Sequence, residues 1–172
     1  KLSMKFFPNI FLKYGVAIIF LSTVGHFVPE VMGLGTNTVL SAVSGEFVLY
    51  FALIILVGKI IATSISLGFG FFGGVFSPAL LVGASAGGVV AELFVLIGFL
   101  EKFEPALVIS GMAAVTGAVI GAPICMVVIV MELTSSYIYA LSSLVGLALS
   151  VSLSHILFGA SYFDRQLGMR GI

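Results

Sequence analysis

Three apolar runs of about twenty residues leave this chain few folds to choose from. Phe47 to Leu67 carries one charge, Lys59; Ala79 to Gly98 is apolar except for Ser85 and Glu92; Ile138 to Phe158 has no Asp, Glu, Lys or Arg. Twenty helical residues at about 1.5 Å each rise roughly 30 Å, the thickness of one hydrocarbon core. Composition agrees, because 60% of the 172 residues are hydrophobic and only 8% charged, where a soluble domain carries about a quarter. The expected fold class is an all-α integral membrane protein.

Between the first two runs lies Gly68-Phe-Gly-Phe-Phe-Gly-Gly-Val-Phe-Ser-Pro78, with four glycines in seven residues, Gly68, Gly70, Gly73 and Gly74. Glycine opens backbone conformations closed to other residues and leaves no side chain over the amides. Ser77 followed by Pro78 reads as a helix start, Ser capping and Pro in the first helical position. The N-terminal end of such a helix carries about half a positive charge and free amides. Irregular backbone at membrane depth is tolerated where it is buried in protein or lines a cavity, so an anion is the natural guest. A second reading is that the glycines only bring helices close, since Gly70/Gly74 and Gly83/Gly87 both have small-xxx-small spacing.

Elsewhere the pattern is of short and interrupted helices. Lys1 to Lys13 is basic, broken by Pro8, and reads as a surface segment. Tyr14 to Val28 is a helix short for a crossing unless it borrows Phe11 and Leu12, and it stops at Pro29. After VPEVMGLGTN, Asn37 or Thr38 caps a piece reaching Ser44 that is too short to span, a partial or re-entrant helix. The segment 101–105, EKFEP, is a charged loop, read as extracellular. Ala106 to Ile120 and Ile124 to Leu133 are each shorter than a bilayer and meet at Gly121-Ala122-Pro123. Half-length helices joined at a Gly/Pro break mark discontinuous membrane helices near a transport site, with a single kinked helix as the alternative. Ser142, Ser143, Ser150, Ser152 and Ser154 can bond back to carbonyls of their own helix.

Charges are few and placed unevenly. Lys1, Lys5 and Lys13 lie at one end and Arg165 and Arg170 at the other, which by the positive-inside tendency puts both ends in the cytoplasm. Lys59, within a span, is a candidate functional charge, but a Lys that snorkels or binds carbonyls is commoner, and the structural role is the one expected. Glu132 reads as a helix-end acid with a structural partner; a proton carrier is the other reading. His26 and His155 have no acidic partner at motif spacing, and the one cysteine, Cys125, makes neither a disulfide framework nor a metal cluster. An enzyme is not expected.

Lys59 to Gly88, KIIATSISLGFGFFGGVFSPALLVGASAGG, resembles the Gly-x-Phe-x-Pro region of the CLC family of chloride channels and proton/chloride exchangers. Ser110 to Tyr137, SGMAAVTGAVIGAPICMVVIVMELTSSY, resembles the family's Gly-Met-Ala start, Ala-Pro break and Glu-x-Thr ending, with Gly121 where a basic residue often stands. The resemblance implies a fold of two inverted repeats around a shared pore. Residues 1–172 would then be a single membrane domain fragment, most of the second repeat, with short, re-entrant and broken helices. The family's gating glutamate, in a Gly-x-Glu-Gly-Pro setting, belongs to the first repeat, and that motif does not occur here.

By this resemblance the chain is expected to serve transmembrane chloride transport, as a voltage-gated-type channel or a proton/chloride antiporter. Gly74, Val75 and Phe76 would present backbone amides to the anion, with Ser77 and Pro78 capping the helix and Pro123 at the break. A family tyrosine near the carboxyl end points its hydroxyl at the anion. Aligning on the Leu-x-x-Arg-Gly ending puts Phe163 in that slot and Tyr162 one residue earlier, about 100° away on a helix. Chloride is the expected substrate, no cofactor is expected, and the implied partners are the amino-terminal half of the same protein and a second copy in a homodimer. No nucleic acid is expected. Two other readings stand beside this one: a structural or assembly fragment, and a different broken-helix secondary transporter. A sodium-coupled carrier would use carbonyls and carboxylates, whereas this break offers amides at a positive helix end.

Overall fold

The computed structural model describes residues 10–46, 48–71, 73–99 and 105–159. Among them the chain is helical, with no strand. The elements are α1 (Ile10–Phe27), a 3-10 turn (Pro29–Val31), α2 (Thr36–Val43), α3 (Leu49–Phe69), α4 (Phe76–Leu96), α5 (Pro105–Ile120), α6 (Pro123–Thr134) and α7 (Tyr137–Phe158). By length and composition, α3, α4 and α7 can cross a bilayer; α5 and α6 are shorter apolar helices. The expected anionic-site tyrosine slot at Phe163, its neighbour Tyr162, the segment 160–172, the basic stretch 1–9 and the charged loop 101–104 lie outside the described residues.

Several boundaries move, each for a local reason. α1 does borrow Phe11 and Leu12, beginning at Ile10 and so taking in the end of the stretch read as a surface segment. It ends before Pro29, which opens the 3-10 turn. α2 is capped by Gly35 at φ 71° and not by Asn37 or Thr38. The amide of Val39, which an Asn37 cap would take, already donates to the Gly35 carbonyl at 2.9 Å. α3 closes on Gly70 at φ 87°, with Gly70 N donating to Leu67 O at 3.1 Å and Phe71 N to Ser66 O at 2.9 Å. Only a residue tolerant of the left-handed region ends a helix this way.

The break between α5 and α6 is a true interruption and not a kink. Gly121 turns to φ 78°, Ala122 leaves helical space at φ −124°, ψ 68°, and Pro123 starts α6. Pro suits that position because its missing N–H would have had no intrahelical acceptor.

Two cores lie on either side of α5. Ala42, Ala52, Ile55, Leu81, Ala84, Val108 and Met112 join α2, α3, α4 and α5. Ile109, Ala113, Met126, Val130 and Leu147 join α5, α6 and α7. The α4–α5 crossing is close because Gly83, Gly87 and Gly111 face one another. A Cβ built on Gly83 would lie 2.7 Å from Met112 Cα, and one on Gly87 would lie 2.7 Å from Val108 Cα. The small-residue spacing at Gly83/Gly87 therefore brings two backbones together, as it does in membrane helices generally. α7 is held to α5 by Ser150, whose hydroxyl donates to the Ala114 carbonyl at 2.8 Å. Of the five serines expected to bond back, Ser142 and Ser143 do so within α7, to Tyr139 O at 2.9 Å and Ala140 O at 2.7 Å; Ser150 bonds to α5 instead, and no such bond is found for Ser152 or Ser154 among the described residues.

Candidate functional site

α4 begins at the end of the glycine-rich turn. Val75 is its cap at φ −87°, ψ −19°, and no side chain caps it. Ser77, expected as the cap, is instead the second residue of the helix, because Ala79 N, the amide its hydroxyl would take, already donates to Val75 O at 3.1 Å. Its hydroxyl donates to the Leu34 carbonyl at 2.6 Å. Pro78 accordingly stands third rather than first, still where a helix amide has no intrahelical acceptor. The orphan amides of this first turn are thus those of Val75, Phe76 and Ser77, and none of the three donates to a backbone carbonyl among the described residues.

Gly73 and Gly74 ahead of the helix are exposed, and a Cβ built on either would meet nothing within 4 Å. Among the described residues they therefore pack against nothing, unlike Gly83 and Gly87. Gly74 and Pro78 line a cleft of about 290 Å³ together with Val31, Gly33, Lys59 and Gly73. Phe76 and Ser77 line a separate, largely apolar hollow of about 420 Å³ with Leu34, Leu80, Met112 and Leu133. The first turn of α4 stands between the two, and the expected anion residues Gly74, Val75 and Phe76 are contiguous there without sharing one cavity.

Lys59 sits at the midpoint of α3 and is 4% exposed. Its ammonium donates to the carbonyls of Val31 at 2.7 Å and Gly33 at 2.9 Å. An ammonium taken out of water needs acceptors inside the protein, and these two carbonyls take two of its three donors without a carboxylate. The carbonyl-paired arrangement expected for a structural Lys59 is thus the observed one, at the middle of the span. Sequence reasoning did not foresee which oxygens it would hold. The available signal was the VPEVMGLGTN loop, whose Gly33 and Gly35 both take positive φ, 68° and 71°.

The other candidates lie apart. Glu132 is exposed in the last turn of α6, and the partner expected for it is not found among the described residues. His26 and His155 are exposed near the ends of α1 and α7, His26 against Phe27 edge-to-face at 5.6 Å. No His, Cys, Asp or Glu cluster able to hold a metal is present among the described residues.

A family model described as voltage gated chloride channel matches residues 2–155. The chain is 30% identical over 146 residues to the H(+)/Cl(-) exchange transporter ClcA of Vibrio cholerae, covering 82% of this chain and 30% of that protein. It is 26% identical over 142 residues to ClcA of Vibrio parahaemolyticus, with the same coverage of each. An uncharacterized protein of Methanocaldococcus jannaschii is 30% identical over 122 residues, 69% of this chain and 29% of that one. The chain spans about three tenths of the length of these curated relatives. With nine tenths of its length inside the family match, and with its all-helical, membrane-length architecture, the chain belongs to the voltage gated chloride channel family.

Proposed function

We propose that this chain forms part of a chloride pathway across a membrane, in which the anion is held by backbone amides of the turn Gly74, Val75 and Phe76. The observation that carries this reading is the first turn of α4, where the amides of Val75, Phe76 and Ser77 have no backbone acceptor among the described residues, next to an open glycine turn. Helix N-termini favour anions through these free donors and the helix dipole together. Backbone donors suit chloride, which is spherical and needs no bidentate partner. The Vibrio relatives are named H(+)/Cl(-) exchange transporters, which supports chloride as the substrate.

In this reading the remaining half of the binding site comes from an amino-terminal repeat of the same protein, and the functional unit is a homodimer with its ends on the cytoplasmic side. The outward apolar surface of α6 and α7, including Ile124, Val128, Ile138, Leu141 and Leu149, supports burial against lipid or a second copy.

The test is flux. The full-length protein reconstituted in liposomes is expected to release chloride down its gradient, and an internal pH probe separates exchange, with coupled proton movement, from a channel, without it. Liposomes as tight to chloride as protein-free ones would leave the structural or assembly reading in place, and sodium-dependent solute uptake without chloride movement would favour the carrier.

A further inference from the structure

The loop between the 3-10 turn and α2 is gripped from two sides. From α3, Lys59 holds the carbonyls of Val31 and Gly33; from α4, the Ser77 hydroxyl holds the next carbonyl along, that of Leu34. Apolar contacts reinforce the same grip. Val31 is 1% exposed and lies against Gly58 of α3, where an added Cβ would come within 3.0 Å of Val31 Cγ2. Gly35 lies against Leu81 of α4, where an added Cβ would come within 2.6 Å of Leu81 Cδ2. Gly58 and Gly35 thus give the Val31 and Leu81 side chains room to lie close at the loop's two sides.

Two consequences follow for the turn at the start of α4. Ser77 is the residue right after Phe76, so the Ser77–Leu34 hydrogen bond couples the loop to the first helical turn, beside the Gly35–Leu81 contact further along α4. Val31, Gly33 and Lys59 also line the same cleft as Gly73, Gly74 and Pro78. Carbonyl oxygens repel anions, and those of Val31 and Gly33 are engaged by the Lys59 ammonium.

We propose that Lys59 is a positioning residue for the anion turn: it fixes the Val31–Leu34 loop, and the loop, through Leu34 and Ser77, fixes the first turn of α4. This rests on the reading of that turn as an anion site, but the mechanical link is testable without an anion. Lys59 acts through the loop and is not assigned a contact with chloride.

The experiment uses the full-length protein with Lys59→Met, Lys59→Arg, Ser77→Ala and the Lys59→Met/Ser77→Ala pair. Hydrogen exchange in chloride-free buffer is read at Ala79 to Leu81, the amides that close the first turn of α4, as Ala79 N does on Val75 O at 3.1 Å, and chloride affinity is read by calorimetry. Lys59→Met is expected to speed exchange at 79–81 at least threefold and to weaken chloride binding about tenfold. Lys59→Arg, whose guanidinium can still reach two carbonyls, is expected to restore both to within about threefold of native. Ser77→Ala cuts the same link further along, so the pair is expected to behave like the worse single variant. Unchanged exchange at 79–81 in Lys59→Met, or effects of the two variants that multiply, would overturn the link. If Lys59→Met does not fold, Lys59→Arg and Ser77→Ala still decide: Ser77→Ala must speed exchange at 79–81 and at Val31 and Met32, whose amides donate to Val28 O and Pro29 O, and exchange unchanged at either place refutes the proposal. A native protein that binds no chloride while the exchange pattern holds would sink the anion reading and leave the link standing.

Discussion

Gly83 and Gly87, inside α4, and Gly73 and Gly74, just ahead of it, are the same residue in opposite settings. At the first pair, a methyl group would run into the backbone of α5; at the second, it would meet nothing within 4 Å. The first pair is therefore explained by packing, and removing it destroys a contact. The second pair has no packing contact among the described residues. Neither Gly73 nor Gly74 is among the described glycines at positive φ, and in the proposed reading their lack of a side chain leaves the approach to the helix end open. Spacing in the sequence does not separate the two cases, because Gly70/Gly74 and Gly83/Gly87 both have the small-xxx-small interval.

Substitutions sharpen this contrast. The largest effect is expected at the crossing, where Gly83→Val or Gly87→Val places branched carbons against backbone that cannot swing away. Overpacking of that kind is worth about 3 kcal/mol, and thermal unfolding of the detergent-solubilised full-length protein should show the loss. A Gly83→Val protein with native thermal stability would mean that the helices cross elsewhere.

Next is Gly121→Ala, which forces a side chain into the left-handed region at φ 78° and is expected to cost about 1 kcal/mol in the same assay. Ser150→Ala removes the hydroxyl that ties α7 to α5 and is expected to cost about 1 kcal/mol. An unchanged melting temperature would show that this bond is replaced by water or a neighbour.

The smallest stability effect is expected at Gly74→Ala, within about 0.5 kcal/mol, as for a surface change without a partner. Yet that variant is expected to weaken chloride binding severalfold, because a methyl group then stands beside the free amides. Native affinity together with native stability in Gly74→Ala would place the anion elsewhere, and a large stability loss would return Gly74 to the packing glycines.

The elements that could be read from the sequence were those with one strong local cause. Apolar length gives α3, α4 and α7, and Pro29, Gly70, Gly121 and Pro123 stop or start helices by removing a donor or allowing positive φ. The errors arise where local propensity competes with a contact distant in sequence. Ser77 has the composition of a cap, but its hydroxyl is taken by Leu34, 43 residues away. Ser150 has the spacing for back-bonding within α7, but bonds to Ala114, 36 residues away. Lys59 could be recognised as structural, but the carbonyls it holds belong to a loop 26 and 28 residues upstream. In each case the donor is visible in the sequence and the acceptor is set by how the helices pack.

The most direct measurement is an anomalous diffraction map from crystals of the full-length protein soaked in bromide, which replaces chloride and scatters anomalously. A peak within hydrogen-bond distance of the Val75 and Phe76 amides is the predicted result, and bromide bound only at sites remote from the first turn of α4 would contradict the account.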